Sequence, residues 1–320
     1  MTPHPVSVTL PVGQAIERAK QLLFRPFDLG RWFVIGFGAW LAYLGQGGGY
    51  NFRLPGSGHH PAAGLRDSFE QARGYVMDNL NWIVPVAAAG LAVAVILGVL
   101  IVWLRSRGEF MFLHCVARNQ AEIARPWREF AREANSLFLF RLALSAAAMV
   151  VIWPLLILGG IKLYRMWNEH DWNTDGILSC LGLGLALLVA GVVFAILEKL
   201  ATDFVVPLMF LRRQQCLESW REFGRLLASQ PGEFVLYFLF QIVLEVGIGM
   251  LLLAIILMTC CLAGCLMALP YLGTVLLLPV LVFHRSYSLN YFAQFGREYD
   301  VFAPASEPPP GASDPIQPIS

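Results

Sequence analysis

The sequence predicts an all-α fold: a polytopic helical membrane bundle of about six transmembrane helices, with repeated amphipathic helices at the cytoplasmic interface. The 320-residue chain is 57% hydrophobic and only 14% charged, whereas a soluble domain carries about 25% charged residues. Several uncharged segments reach the roughly 20 residues that a helix needs to cross a bilayer. The sequence lacks the alternating segments of about ten residues that are typical of a membrane β-barrel.

Six segments are apolar enough to be predicted as transmembrane helices. Residues 82–104 and 177–197 contain no charged residue at all. The apolar stretch 234–283 would be about 75 Å long as one helix, so we expect it to turn back near residues 259–264. The predicted spans are 29–44, 82–104, 137–163, 177–197, 234–258 and 262–283.

Basic residues predict how these spans are oriented. Lys and Arg are concentrated in the N-terminal segment, in the connections after the second and fourth spans, and in the C-terminal segment. Because Lys and Arg stay on the cytoplasmic side, both termini are expected in the cytoplasm and the protein in the cell (inner) membrane. No cleavable signal peptide is predicted, since residues 1–12 lack an apolar core. Residues 1–303 are predicted to form a single integral membrane domain, and the Pro-rich residues 304–320 a disordered tail.

A short motif is repeated after the spans. Trp127-Arg-Glu-Phe-Ala-Arg matches Trp220-Arg-Glu-Phe-Gly-Arg, and Glu109-Phe matches Asp203-Phe at the same place in the preceding span. A third copy ends in Phe295-Gly-Arg, and a degenerate fourth copy is expected near the N-terminus. The repeat predicts a unit of span, interfacial helix and span. The predicted interfacial helices are residues 13–24, 122–134, 213–228 and 286–297.

Spacing of three or four residues places the aromatic residues of each copy on one helical face and the arginines on the other. The predicted membrane-interface residues are Trp127, Phe130, Trp220, Phe223, Arg221 and Arg225. The aromatic face could lie in lipid or pack on the protein's own spans, and the sequence leaves both alternatives open. In either case the basic face would meet anionic lipid, where each arginine contributes about 1 kcal/mol.

The repeat also carries a family resemblance. Asp203-Phe-Val-Val-Pro-Leu-Met, followed by Arg-Arg and Leu-Glu-Ser-Trp-Arg-Glu-Phe, resembles a family of uncharacterised six-span bacterial and archaeal membrane proteins. That family is similar to the membrane domain attached to some glycerophosphodiester phosphodiesterases. The resemblance covers most of residues 10–300. It implies a polytopic bundle with interfacial helices and no catalytic residue, because the catalytic barrel of those enzymes is absent from this sequence.

Polar residues within or beside the spans are candidates for binding a ligand or ion, since burying a charge in a membrane is costly. The candidates are Glu245, Gln241, Arg141, Lys199 and Asp203. Glu245 would lie near the middle of the bilayer, as a proton or cation site or as a protonated side chain bonded to a neighbouring helix. Arg141 lies near the start of its span and is expected to snorkel to the interface. Lys199 and Asp203 are four residues apart and can pair in an interfacial ion network.

Other patterns give little functional signal. Cys260, Cys261 and Cys265 cluster at a predicted outer turn, where free thiols are preferred over a disulfide. The sequence contains no paired ligand spacing for a metal, no cofactor motif and no catalytic set. Gly90 and Gly98 could allow close approach of another helix, or simply reflect the abundance of glycine in membrane helices.

Three function classes follow. The first is a non-catalytic protein that organises lipid or a membrane protein partner at the cytoplasmic face. The alternative is a transporter or channel for a small solute or lipid, and an intramembrane enzyme ranks last. The net charge of +1 gives no reason to expect a nucleic acid partner.

Overall fold

The computed structural model describes residues 6–25, 27–44, 79–169, 173–259, 262–267 and 269–303, and all regular structure in them is helical. The predicted tail 304–320, Cys260 and Cys261, and the side chain of Cys265 lie outside the described part. The helices are α1 (Leu10–Leu23), α2 (Leu29–Ala42), α3 (Leu80–Arg118), α4 (Ala124–Glu129), α5 (Ala131–Glu169), α6 (Thr174–Leu200), a π-helical turn (Ala201–Val205), α7 (Val206–Arg212), α8 (Cys216–Ser229), α9 (Pro231–Met258), α10 (Leu262–Met267), α11 (Pro270–Leu276), α12 (Leu278–Ala293) and a 3-10 turn (Arg297–Tyr299).

Four helical segments are long and apolar enough to cross a membrane. They are Asn81–Arg118, Ala131–Glu169, Thr174–Arg212 and Pro231–Met258. The third joins α6, the π-helical turn and α7 into one continuous rod. These segments contain the second to fifth predicted spans in chain order.

The first and last predicted spans do not form single long helices. Within 29–44, α2 has 14 residues, about 21 Å at 1.5 Å per residue, which is short of a bilayer core of about 30 Å. The segment 262–283 is divided among α10, α11 and the start of α12. Pro270 is the first residue of α11 and Pro279 the second residue of α12, because proline is tolerated in the first turn of a helix and disrupts a helix that precedes it. The expected number of six spans is therefore not confirmed.

The hydrophobic core lies at one end of the long helices. No residue is buried in the most apolar window of three of them, and only 11% of that window is buried in the fourth. By contrast, residues 110–117 of α3 and nearly all of residues 200–210 are buried. We call this end, formed by residues 105–118, 131–141 and 200–212, the arginine-rich end. The packing that defines the fold is concentrated there.

Helix α2 packs against the arginine-rich end of α3. A Cβ atom at Gly108 would lie 2.4 Å from the backbone nitrogen of Ala42, and a Cβ at Gly38 would lie 3.6 Å from that of Phe112. The absence of a side chain at Gly108 therefore lets the two backbones touch. A Cβ atom at Gly90 or Gly98, the glycines expected to allow close approach, would have no described atom of another helix within 4 Å.

Helix α12 is buried along most of its length, and α1 covers one side of it. Tyr287 donates a hydrogen bond to the carbonyl oxygen of Val8 (3.2 Å). Arg18 of α1 donates to the last carbonyl oxygens of α3, at Val116 (2.8 Å) and Ala117 (2.7 Å). Burial lowers the pKa of Arg18. A cation at this position also interacts favourably with the negative end of the α3 dipole.

Helices occur at the predicted interfacial segments, with one difference. Helices α1 and α8 cover 13–24 and 213–228 closely, and α4 with the start of α5 covers 122–134. The segment 286–297 is not a separate helix, since α12 runs without a break from residue 278 to 293. Arg213 ends α7 in a left-handed conformation (φ 54°), whereas the matching Arg285 stays within α12. The segment predicted as the third copy therefore lacks the turn that ends α7.

Candidate functional site

A cluster of acidic and basic side chains lies at the arginine-rich end, between α3, α5, α6, α12 and the π-helical turn, and all of them except Glu198 are buried. The arginine–carboxylate cluster consists of Arg105, Glu109, Arg141, Glu198, Asp203 and Arg285. Its centre is Glu109, whose side chain is 5% exposed. Arg141 Nη2 lies 3.1 Å from Glu109 Oε1, and Arg285 Nη2 lies 3.7 Å from Glu109 Oε2. One carboxylate therefore pairs with arginines from two different helices.

The π-helical turn supplies the remaining contacts of these arginines. Thr202 Oγ1 accepts from Arg141 (3.1 Å), and the Thr202 carbonyl oxygen accepts from Arg285 (2.7 Å). A π-turn widens the helix and disturbs its regular hydrogen bonding, and such turns are frequent at functional sites. The turn thus allows Thr202 to accept hydrogen bonds from arginines of two other helices.

A second set of contacts adjoins the first. Asp203 accepts a hydrogen bond from the hydroxyl of Tyr237 (3.0 Å) and lies 3.4 Å from the ammonium of Lys199. Arg105 pairs with Glu198 (2.6 Å) next to them. The predicted Lys199–Asp203 pair is therefore present, and it belongs to a larger network than the sequence indicated.

The arginine–carboxylate cluster is a network of ion pairs and hydrogen bonds. Buried N–H groups of Arg105, Arg141 and Arg285 have no hydrogen-bond partner among the described residues. No group of three or more His, Cys, Asp or Glu that could hold a metal occurs in the described part of the chain. The cluster can hold helices together and bind charge.

The predicted ligand residues differ in burial: Arg141 and Gln241 are buried, whereas Glu245 is exposed. Arg141 is 3% exposed and points into the cluster, so the expectation that it snorkels to the interface is wrong. The carboxylate of Glu109 on a neighbouring helix offsets part of the cost of burying the Arg141 charge. Gln241 is 3% exposed, and its Oε1 has no partner among the described residues. Glu245 is exposed on α9 and forms no ion pair with a described residue.

Matched residues of the repeat make matched contacts. The rings of Phe110 and Phe130 stack with centroids 5.7 Å apart, and those of Phe204 and Phe223 stack at 5.3 Å. The positions that end α3 and α7 also correspond. Asn119 and Arg213 there are the only non-glycine residues with positive φ in the described chain, and each follows the acid of its copy by ten residues.

The predicted interface residues divide into two groups. Phe130 and Phe223 are 3% and 1% exposed and face the core, so these two rings pack on the protein's own helices. Trp127 and Trp220 are half-buried. Trp127 lies 5.8 Å from Trp103, and Trp220 lies 5.5 Å from Phe140. Arg221 and Arg225 are exposed on α8.

The candidate set from the sequence omitted five residues of the site: Arg105, Glu109, Glu198, Arg285 and Thr202. Glu109 matches Asp203 in the predicted repeat, and that match was the signal that could have identified it. Arg285 matched Arg213 in the third copy, but nothing in the sequence placed it beside α3. Thr202 gave no signal, because a hydroxyl residue within a span is unremarkable until a π-helical turn exposes its carbonyl oxygen.

Comparison with known proteins identifies a family without a known activity. The model of DUF7544, described as a family of unknown function, matches residues 7–278. No curated protein and no solved structure matches the chain. These comparisons show no link to the membrane domains of glycerophosphodiester phosphodiesterases.

Proposed function

We propose that this chain, which belongs to the family of unknown function DUF7544, is a non-catalytic, multi-pass protein of the cell (inner) membrane. Its role would be to organise anionic lipid and a membrane protein partner at the cytoplasmic face. That the chain is an integral membrane protein is supported by its composition and helix lengths, since four helices are long and apolar enough to cross a membrane.

The observation that carries the proposal is that the core lies at one end of the long helices and leaves their apolar segments exposed. The apolar windows of the four long helices are almost wholly unburied, while the arginine-rich end is a dense core. Lipid tails give apolar helices no hydrophobic reason to associate with each other. Long apolar faces such as that of α6, with Leu181 and Leu185 more than 60% exposed, are therefore available to lipid and to the spans of a partner.

Six crossings and cytoplasmic termini remain part of the proposal. The short helices α2 and α11 contact each other, since a Cβ at Gly36 would lie 2.7 Å from Val275 Cγ2 and Tyr271 donates to the Phe33 carbonyl oxygen (2.8 Å). They would act as two interrupted crossings. The excess of arginine at the core end favours a cytoplasmic location for that end.

The proposed lipid contact is the outer face of the interfacial helices. Helices α4 and α8 bury Pro126 and Phe223 against the core. Their arginines point outward, and a shallow depression of about 570 Å³ is lined by Ala124, Arg125, Arg128 and Glu129. Anionic headgroups suit such a surface, with about 1 kcal/mol for each nearby arginine.

Affinity purification in mild detergent, with mass spectrometry of proteins and lipids, tests the proposal. We expect a stoichiometric protein partner and enrichment of anionic lipid. Replacing Arg221 and Arg225 by Gln should lower the anionic lipid recovered. Replacing Arg165 by Gln is the matched control, because this exposed arginine lies at the opposite end of α5. A protein recovered alone with bulk lipid composition would refute the proposal.

Transport of a small solute or lipid is the second candidate. It is favoured by one observation, the polar residues on the inner face of α9, which include the buried Gln241. Loss of solute flux into proteoliposomes when Gln241 is replaced by Leu would support transport, and an unchanged flux would count against it.

A further inference from the structure

Arg107 of α3 is a half-buried cation that lies against two tryptophan rings. Its Cζ atom is 5.0 Å from the ring centroid of Trp103, one turn earlier on α3, and 5.0 Å from that of Trp127 on α4. The two rings are 5.8 Å apart and nearly perpendicular (89°). Because the faces of aromatic rings attract cations, these contacts fix where the guanidinium lies.

The charge of Arg107 has no counter-charge among the described residues. No carboxylate of that part of the chain lies within 4.0 Å of its nitrogens. The acids of the adjoining helices, Glu129 of α4 and Glu133 of α5, both pair with Arg213 instead. A cation that is partly removed from water gains from an anion beside it, since the attraction is less screened there.

Arg107 also has hydrogen-bond donors for such an anion. A guanidinium has five N–H groups. Nη1 donates to the carbonyl oxygen of Trp127 (2.9 Å) and Nη2 to Oδ1 of Asn135 (3.3 Å), which leaves a second N–H on each terminal nitrogen without a described acceptor. The contact with Asn135 is exposed, so this edge can be reached from outside the protein. The planar guanidinium edge matches the oxygen atoms of a phosphate group.

The face of α3 that carries Arg107 points away from the arginine–carboxylate cluster. Arg105 and Glu109 point into that cluster, and two residues along a helix correspond to a rotation of about 200°. Leu100 and Ile96 share the face of Arg107 and are 46% and 66% exposed. They extend this face for about 16 Å into the charge-free part of α3. Such an apolar stripe suits an acyl chain and gives nothing to a free inorganic anion.

We propose that Arg107, positioned by Trp103 and Trp127, binds the phosphate group of one phospholipid whose acyl chain lies along the exposed face of α3. The tryptophans suit this depth, because their rings are enriched where a membrane meets water. The inference rests on the lipid contact proposed above, which was assigned to the outer face of α4 and α8, and it adds a separate site on α3.

Native mass spectrometry of the full chain in detergent tests the site. The delipidated protein is titrated with dioctanoyl phosphatidylglycerol, with dioctanoylglycerol, which has the same acyl chains but no phosphate, and with inorganic phosphate. We expect one phosphatidylglycerol to bind first, dioctanoylglycerol to bind far more weakly, and millimolar phosphate not to displace the lipid. In Arg107→Gln the affinity for that first lipid should fall about tenfold, which corresponds to about 1.4 kcal/mol.

Arg118→Gln is the matched control, because it removes one positive charge from an exposed residue of the same helix. It should leave the affinity unchanged. Equal affinities in the wild type and Arg107→Gln would overturn the proposal, and so would an equal loss in both variants, which would show general charge attraction only. Displacement of the lipid by inorganic phosphate would show a site for a free anion and would overturn the assignment to a phospholipid.

Photolabelling of the wild type in liposomes provides a second test that does not require a variant to fold. A phospholipid with a photoreactive group beside its phosphate should label the peptides that contain Trp103 and Trp127 more than the α8 peptide that contains Arg221 and Arg225. Labelling of α8 alone would overturn the Arg107 site and leave the organising role intact. A protein purified with bulk lipid composition would refute the organising role and leave the site intact.

Discussion

The role of Glu109 as a shared partner predicts an asymmetry between the residues it binds. Removing Arg141 leaves Glu109 paired with Arg285, so the remaining charges still balance. Removing the charge of Glu109 leaves two buried guanidinium groups, each 3% exposed, without their carboxylate. Glu109→Gln should therefore destabilise the protein more than Arg141→Gln does.

The magnitude follows from the geometry. At 3.1 and 3.7 Å, each charge pair amounts to roughly 5 kcal/mol at an effective dielectric constant of about 20, before the cost of desolvation. Breaking a buried pair by removing one partner costs about 3–5 kcal/mol in measured cases. We expect that range for Glu109→Gln, and about half of it for Arg141→Gln.

Equilibrium unfolding in mixed micelles, with increasing denaturing detergent and circular dichroism as the readout, measures both changes. Glu129→Gln is the matched control, because this glutamate also pairs with two arginines but is 36% exposed. Exposed pairs contribute about 0–1 kcal/mol. Equal losses for Glu109→Gln and Arg141→Gln would refute the shared-partner reasoning.

Three further predictions concern the packing of the helices. Gly108→Ala should lower the free energy of unfolding by about 1–3 kcal/mol, because the new Cβ would overlap backbone atoms of α2. Gly98→Ala, in open space on the same helix, should leave it unchanged. Equilibrium unfolding of the two variants in mixed micelles checks this prediction. Burial raises the pKa of the Cys216 thiol to about 12. In a variant whose other cysteines are replaced, Cys216 should therefore resist alkylation at neutral pH until the fold is disrupted. Rapid labelling of the native variant would contradict this prediction. Leu208→Ala should cost about 2–5 kcal/mol, because Leu208 is fully buried, whereas Leu185→Ala, at a side chain 62% exposed, should cost much less in the same titration.

The sequence predicted the long helices well, because an uncharged segment of 20 residues has few structural alternatives in a membrane protein. The first and last predicted spans, which rest on apolar composition alone, are not confirmed as single long helices. Residues 262–283 are apolar throughout, but Pro270 and Pro279 divide them, and both prolines were visible in the sequence. The helix in 29–44 is also too short, since it ends at Ala42.

Only the contacts of the candidate site that lie within one helix could be predicted from the sequence. The Lys199–Asp203 pair depends on spacing along one helix, and spacing can be read from a sequence. The burial of Arg141 depends on Glu109, which is 32 positions earlier on another helix. The position of Arg141 near the start of its span suggested snorkelling, because nothing in the sequence indicates which residue lies opposite it.

The position of the arginine–carboxylate cluster explains why packing is concentrated at one end of the molecule. Apolar helix surfaces gain little by leaving lipid for each other, so the outer halves of the spans do not specify which helices are neighbours. Charges at the arginine-rich end do, since a wrong neighbour would leave Glu109, Arg141 or Arg285 buried without a counter-charge at a cost of several kcal/mol. In this protein, α3, α5 and α12 meet at the one carboxylate that two arginines need. The network therefore fixes which helices are neighbours, and it leaves the apolar faces beyond it available for lipid or a partner.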